Sequence, residues 1–219
     1  MNRQEFEKER EKLSHMTLSE KLSYIFTYYS TQIIILCVAV FLLFQAGGAL
    51  YRYTQDVLLY CLFADEVSIN RAEAELLNSD FREYAGISGK KQVTTFDISL
   101  DFSNDTYAEA SLIRLSGLYE TGTVDVIITT QDMLNQLQDQ NLFMDLSDAL
   151  PGELLKTLSS RLYYTRDIDG ETVPMGISLE GSYLDRIMSL EENSYLTIVN
   201  MDNFPDTVLK FVCYCFEIK

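Results

Sequence analysis

Eighteen consecutive residues, Ile33 to Leu50 (IIILCVAVFLLFQAGGAL), carry no charge and only one strongly polar side chain, Gln45. A helix of that length covers most of a hydrocarbon layer about 30 Å thick, and residues 30–32 with Tyr51 extend it towards the headgroups. The stretch predicts one membrane-spanning helix. Tyr24, Tyr28 and Tyr29 precede it and Tyr51 and Tyr53 follow it, where amphipathic rings favour the interface. The chain therefore divides into a tail (1–32), a span (33–50) and one large domain (51–219).

Lysine and arginine orient the span. Arg3, Lys8, Arg10, Lys12 and Lys21 lie before it, whereas the first twenty residues after it hold only Arg52. The expectation is a cytoplasmic tail and an extracellular domain, a single-pass protein of the cell membrane. A signal peptide cleaved after Ala49 competes with this, because AGGA (46–49) offers small residues to a peptidase. Against cleavage, thirty-two residues precede an apolar core longer than the usual signal. Cys37 lies in mid-span behind Leu36, which argues against a lipid anchor there.

The domain is long enough for one sizeable core and too short for two ordinary ones. The whole chain has 17 basic and 33 acidic residues and the tail takes five of each, which leaves 12 against 28 in the domain. Phosphate binding requires a basic face, so nucleic acid is excluded as an expected partner. Cys61 lies in an apolar run, and Cys213 and Cys215 stand two apart in a helical stretch, on different faces. Burial as small hydrophobes is the favoured role, with a Cys61 bridge to Cys213 or Cys215 left open. No metal-ligand spacing occurs, no cofactor is implied, and the single histidine, His15, is in the tail.

Along the chain, residues 2–14 form a charged, helix-prone run. Thr17 and Glu20 make a capping-box pattern ahead of Leu18, Leu22, Ile25, Phe26 and Tyr29 at helical spacing, a positioning collar for the span. In the domain, the apolar run Asp56 to Ala64 predicts a buried strand. A helix is expected over 70–84, stopped by Gly86 and Gly89, then a strand over 92–102, a helix over 106–119 and the strongest strand over 123–129. Residues 131–140 read as a helix, 142–146 as a short extended piece and 147–159 as a helix entered near Pro151. Two strands, 161–166 and 171–179, flank Asp167 to Gly170, where Asp-Gly favours a hairpin turn. A helical segment to Leu190, a strand over 195–199 and a helix over 206–216 close the chain. This alternation predicts an α/β fold with a largely parallel sheet flanked by helices.

The phrase TGTVDVIITTQDMLNQLQDQNLFMDLSDALP (121–151) resembles the extracellular solute-binding proteins of ABC importers, of the type II periplasmic-binding fold. Asp125 to Ile127 and Phe143 to Leu146 occupy the places of that family's strand and of the short run before its next helix. DGETVPMGISLEGS (169–182) resembles the hairpin that leads to the family's hinge, and YLTIVNMDNFPDTVLKFVCYCFE (195–217) a late strand and helix. Together the phrases cover about three quarters of the chain. The family closes two lobes over a ligand; the domain here has length for one, and a membrane helix stands in place of the family's lipidated cysteine. The resemblance implies a single solute-binding-like lobe tethered to a bacterial surface.

In an open parallel sheet, ligands bind beyond the carboxyl ends of the strands. Those positions place Asp65 and Glu66, Asn104 and Asp105, Thr129, Thr130 and Gln131, and Glu180 and Ser182 around one polar pocket, with Thr130 and Gln131 near a helix start. Residues of these types serve equally as helix caps and turn formers. Asp167, Asp169 and Glu171 supply only part of a calcium loop, and Asp101 with Asp105 lacks further ligands, so no metal is expected. No nucleophile elbow, phosphate loop or extracellular histidine is present, and an enzyme is not expected. The expected function is recognition of a small solute or surface partner, as an accessory to a transporter or sensor. The alternative is a non-catalytic structural or regulatory protein that docks on another membrane protein.

Overall fold

A computed structural model describes residues 29–64, 69–100, 102, 105–137, 142–166, 170–188 and 190–218, together with 17, 19, 20, 23, 26 and 27 of the tail. The chain forms two compact units, Met1–Thr54 and Gln55–Lys219.

The first unit is dominated by helix α1 (Ser30–Tyr53). Ser30–Tyr51 has a mean hydropathy of 2.6 over its most apolar stretch, long and apolar enough to cross a membrane or to serve as a signal sequence. Among the described residues its most apolar stretch has no buried side chain; Phe44, Leu43 and Leu36 are all exposed. A helix so apolar all round requires an apolar surrounding. In the tail, the Thr17 backbone N–H and hydroxyl both donate to the Glu20 carboxylate, at 2.8 and 2.9 Å, and the Glu20 N–H donates back at 3.4 Å. This is the expected capping box. Residues 2–14, Leu18, Leu22 and Ile25 lie outside the described residues.

The second unit is an α/β domain built on a mixed six-stranded sheet. Its elements are β1 (Asp56–Phe63), α2 (Arg71–Ala85), β2 (Gln92–Asp97), α3 (Asp105–Glu120), β3 (Val126–Thr130), α4 (Gln131–Leu137), α5 (Leu146–Ala149), α6 (Gly152–Thr157), β4 (Leu162–Arg166), β5 (Thr172–Ser178), α7 (Tyr183–Met188), β6 (Ser194–Ile198) and α8 (Pro205–Cys215). The strand order is β2-β1-β3-β6-β5-β4. β1 pairs in parallel with β2 and β3, whereas β6 runs antiparallel to β3 and β5, and β4 antiparallel to β5.

The sheet is thus less parallel than expected, and the connections explain why. The β4–β5 hairpin reverses the chain as its Asp-Gly turn predicts, although residues 167–169 themselves lie outside the described residues. Between β5 and β6, α7 has six residues and rises about 9 Å, too short to return the chain to the far edge of the sheet. β6 starts where β5 ends, with the Leu179 N–H donating to the Ser194 carbonyl at 2.9 Å.

Other departures are local. β2 stops at Asp97 because that carboxylate accepts from the Ser99 N–H at 2.9 Å, a side-chain turn that bends the chain away. The helix expected over 147–159 is two short helices: Leu150, held extended before Pro151 (φ −102°, ψ 140°), separates α5 from α6. Residues 142–145 form no strand; Met144 contributes one N–H bond to the Ile198 carbonyl. α2 matches its expectation, with an Asn70–Glu73 capping box at one end and Gly86 in the left-handed region (φ 72°) at the other.

Helices cover both faces of the sheet. Leu59, Cys61 and Phe63 of β1 join Leu77 and Phe81 of α2 and Val208, Phe211 and Cys215 of α8 in one core. Leu62 and Ala64, on the opposite face, join Leu115 of α3 with Met133, Leu134 and Leu137 of α4 in a second. All four thiols are free, and Cys61 and Cys215 are both buried within the first core. Burial pushes both thiols well up, so they pack as neutral small hydrophobes.

Candidate functional site

β1, β2, β3 and β5 share one direction, so their carboxyl termini lie at one end of the sheet. Asp65, Glu66 and Asn104 lie outside the described residues, and Asp105 opens α3 with its side chain likewise outside them. Gln131 is tied to the start of β6 by its N–H bond to the Asn193 carbonyl at 3.1 Å, which brings the β3 and β5 ends together around residues 193 and 194.

Most described groups at this edge are committed to holding the fold. Thr130 Oγ1 accepts from the Met133 N–H at 3.4 Å and caps α4. Ser182 Oγ accepts from the Asp185 N–H at 3.1 Å, while Asp185 accepts from the Gly181 N–H at 2.8 Å. Ser182 is therefore the N-cap of α7. Gln131 Nε2 donates to the Tyr163 hydroxyl at 3.2 Å, which donates to Asn135 Oδ1 at 2.9 Å. Thr129 is fully buried and paired with Tyr195 across the sheet; its Oγ1 is the buried side-chain oxygen without a partner among the described residues. Glu180 is exposed and, with Asp185, Leu190, Glu191, Glu192 and Asn193, lines a small concavity of about 290 Å³.

A neighbouring cluster is also closed on itself. The Asp97 carboxylate accepts from the Tyr60 hydroxyl at 2.5 Å and from Arg114 at 2.6 Å, and Arg114 also donates to Ser99. Burial and the Asp97 bond push the Tyr60 phenol up to about 12. Burial alone would raise the Asp97 carboxyl as well, but bonds from Ser99 and Tyr60 and the Arg114 charge hold it below its ordinary value. Its hydrogen-bonding capacity is spent within the protein.

A concavity of about 420 Å³ lies where β2 ends, between Thr94 to Ile98 and Arg71 to Asn78 of α2, and one of similar size lies between helices. Asp80, Glu83 and Tyr84 of α2, Tyr183 of α7, Tyr214 of α8, and Glu217 and Ile218 beyond it line a cleft of about 440 Å³. Tyr214 forms its floor, buried and packed edge-on against Phe81 with ring centroids 5.5 Å apart. Tyr84 and Tyr183 flank that ring, each with its centroid 5.3 Å away and inclined to it by 60° and 85°. The Tyr214 and Tyr183 hydroxyls both donate to Asp80 Oδ2, at 2.6 and 3.1 Å, and the Tyr84 hydroxyl donates to the Ile218 carbonyl at 3.3 Å. Burial and the Asp80 charge push the Tyr214 phenol far up, so it stays protonated as a donor. Beside the cleft, the Arg186 guanidinium lies 5.8 Å from the Tyr183 ring centre and pairs with Glu217.

Sequence reasoning looked only at strand ends and missed this cleft, whose residues come from three helices far apart in the chain. The available signal was tyrosine and acid on one face of α2: Asp80, Glu83 and Tyr84 stand three and four positions apart or adjacent. Among the described residues no group of three or more His, Cys, Asp or Glu side chains is placed to hold a metal ion. Comparison with protein-family models, with curated proteins and with solved structures finds no match to this chain in any of the three.

Proposed function

We propose that the chain is a membrane-tethered recognition protein whose α/β domain takes a small solute in the cleft between α2, α7 and α8. The carrying observation is the cleft itself, about 440 Å³ bounded by three tyrosine rings and three carboxylates. A concavity of that size with few convergent polar groups suits a small ligand. The phrases resembling solute-binding proteins support the same reading, and a mixed α/β sheet covered on both faces is compatible with it. The apolar α1 serves in this reading as the anchor, with the tail inside the cell and the domain outside. The domain acts by binding rather than by catalysis, as an accessory to a transporter or sensor.

The test is a thermal melt of the full-length chain in detergent against amino acids, sugars, oligopeptides, amines and divalent cations. A ligand at a hundred times its dissociation constant adds about 2.7 kcal/mol of stability. A saturable shift supports the reading, and silence across the panel overturns it. The docking alternative draws on the exposed Tyr107, Leu112 and Ile113 of α3, apolar side chains without cover within the described chain. It predicts cross-links from α3 to a second membrane protein in intact cells, with no solute-induced shift.

A further inference from the structure

We propose that the solute is a small organic cation, whose ammonium group sits against the Tyr84 and Tyr183 rings above the Tyr214 floor with Glu83 as counter-charge. This rests on the cleft being the binding site, and adds the chemical class of its ligand.

Three features of the cleft select a cation. First, its described lining presents three carboxylates and three tyrosine rings, and the Arg186 guanidinium beside it is already paired with Glu217. Second, the hydroxyl protons are spent: those of Tyr183 and Tyr214 go to Asp80 and that of Tyr84 to the Ile218 carbonyl. Among the described lining groups an anion would find no free side-chain donor and a sugar would find acceptors without donors, whereas the Tyr84 ring stands exposed. Third, Tyr84 and Tyr183 are inclined to Tyr214 by 60° and 85° rather than stacked on it, and all three rings line the cleft. The negative face of an aromatic ring attracts a weakly hydrated ammonium, by a factor of about two at exposed sites to about thirty where water is excluded.

The protein already makes this contact once. Arg186 lies over the Tyr183 ring and pairs with Glu217, so one wall holds a cation between a ring and a carboxylate. The Glu83 carboxylate, exposed at the rim, has no hydrogen-bond or ion-pair partner among the described residues. A metal ion fits less well, because two tyrosine hydroxyls already occupy Asp80 Oδ2 and ring faces do not replace the oxygen ligands a hard cation demands. The chain's net charge of −16 raises the local concentration of any cation.

The experiment is calorimetric titration of the full-length chain in phosphatidylglycerol nanodiscs, whose lipid carries no ammonium group. The probes are choline, tetramethylammonium and methylammonium, with 3,3-dimethyl-1-butanol as the uncharged isostere of choline. Choline or tetramethylammonium should bind saturably at one site, with choline about tenfold tighter than its isostere. Tyr84→Leu should weaken binding about fivefold and Tyr84→Phe less than twofold, since Phe keeps the ring face. Glu83→Gln, at an exposed side chain with no structural role, should weaken it about threefold and serves if the leucine variant folds poorly. Equal binding of choline and its isostere overturns the cation assignment and leaves the receptor reading standing. Silence of all three cations beside a melt shift from another solute does the same, and silence of both overturns both. Cation binding unaltered by Tyr84→Leu and Glu83→Gln overturns the placement in the cleft.

Discussion

The strand-end edge and the tyrosine cleft are both polar, yet they spend their polar groups differently. At the edge, Thr130 and Ser182 cap helices, Gln131 feeds a chain of side-chain bonds, and Asp97 is closed by Tyr60, Ser99 and Arg114. In the cleft, the bonds fix the tyrosine hydroxyls and leave the Tyr84 ring and the Glu83 carboxylate exposed. A polar residue at a strand end is often there because a helix must start or a turn must close. Binding capacity is what remains after the fold has taken its share.

The largest effect that separates the two regions should come from beneath the cleft. Phe81 is fully buried, with Phe96, Phe211 and Tyr214 around it at centroid distances of 5.1 to 6.2 Å. Phe81→Ala should cost about 4 kcal/mol in chemical unfolding and abolish ligand binding, because the Tyr214 floor loses its support. A comparable loss of binding from a cap variant at the edge would reverse the assignment.

The change in stability between about pH 4 and 8 should come from outside both regions. Asp125 accepts from the Tyr60 N–H at 2.7 Å at the start of β3, and burial pushes its carboxyl up to about 6. The folded state therefore holds that proton more tightly than the unfolded state. Its contribution is full below about pH 4 and is lost as pH rises through about 6, a change of at most about 3 kcal/mol. Asp125→Asn should flatten this part of the profile, measured by unfolding between pH 4 and 8, without changing ligand affinity.

Smaller effects sharpen the contrast. Ser182→Ala should cost about 1 kcal/mol through loss of the α7 cap and leave binding in the cleft unchanged. Arg186→Ala should move stability by less than about 0.5 kcal/mol, since it and Glu217 are both more than half exposed. The same change releases Glu217 and one face of Tyr183, so the affinity for an ammonium probe should rise by about twofold. A fall would mean that Arg186 itself belongs to the site.

Much of the architecture was legible along the chain. The apolar run of α1, the capping box at Thr17, the helix over 70–84, the Asp-Gly hairpin and the alternation of strands with helices all express local pattern. Their physical causes act within a few residues, where a 3.6-residue or two-residue period decides which side is buried. Local reading also extended β2 past Asp97 and joined α5 to α6 through Pro151, where one side-chain bond and the extended residue before a proline set the boundary.

Sequence alone determined the division into an apolar helix and an α/β domain, because hydropathy and period are properties of a stretch. Only tertiary structure decided the reversal of β6, which follows from how far the short α7 can carry the chain. It also decided the cleft, where α2, α7 and α8 bring Tyr84, Tyr183 and Tyr214 around Asp80 from positions 80 to 214. Which polar groups keep free capacity depends on what faces them in space, and no spacing along a chain encodes that.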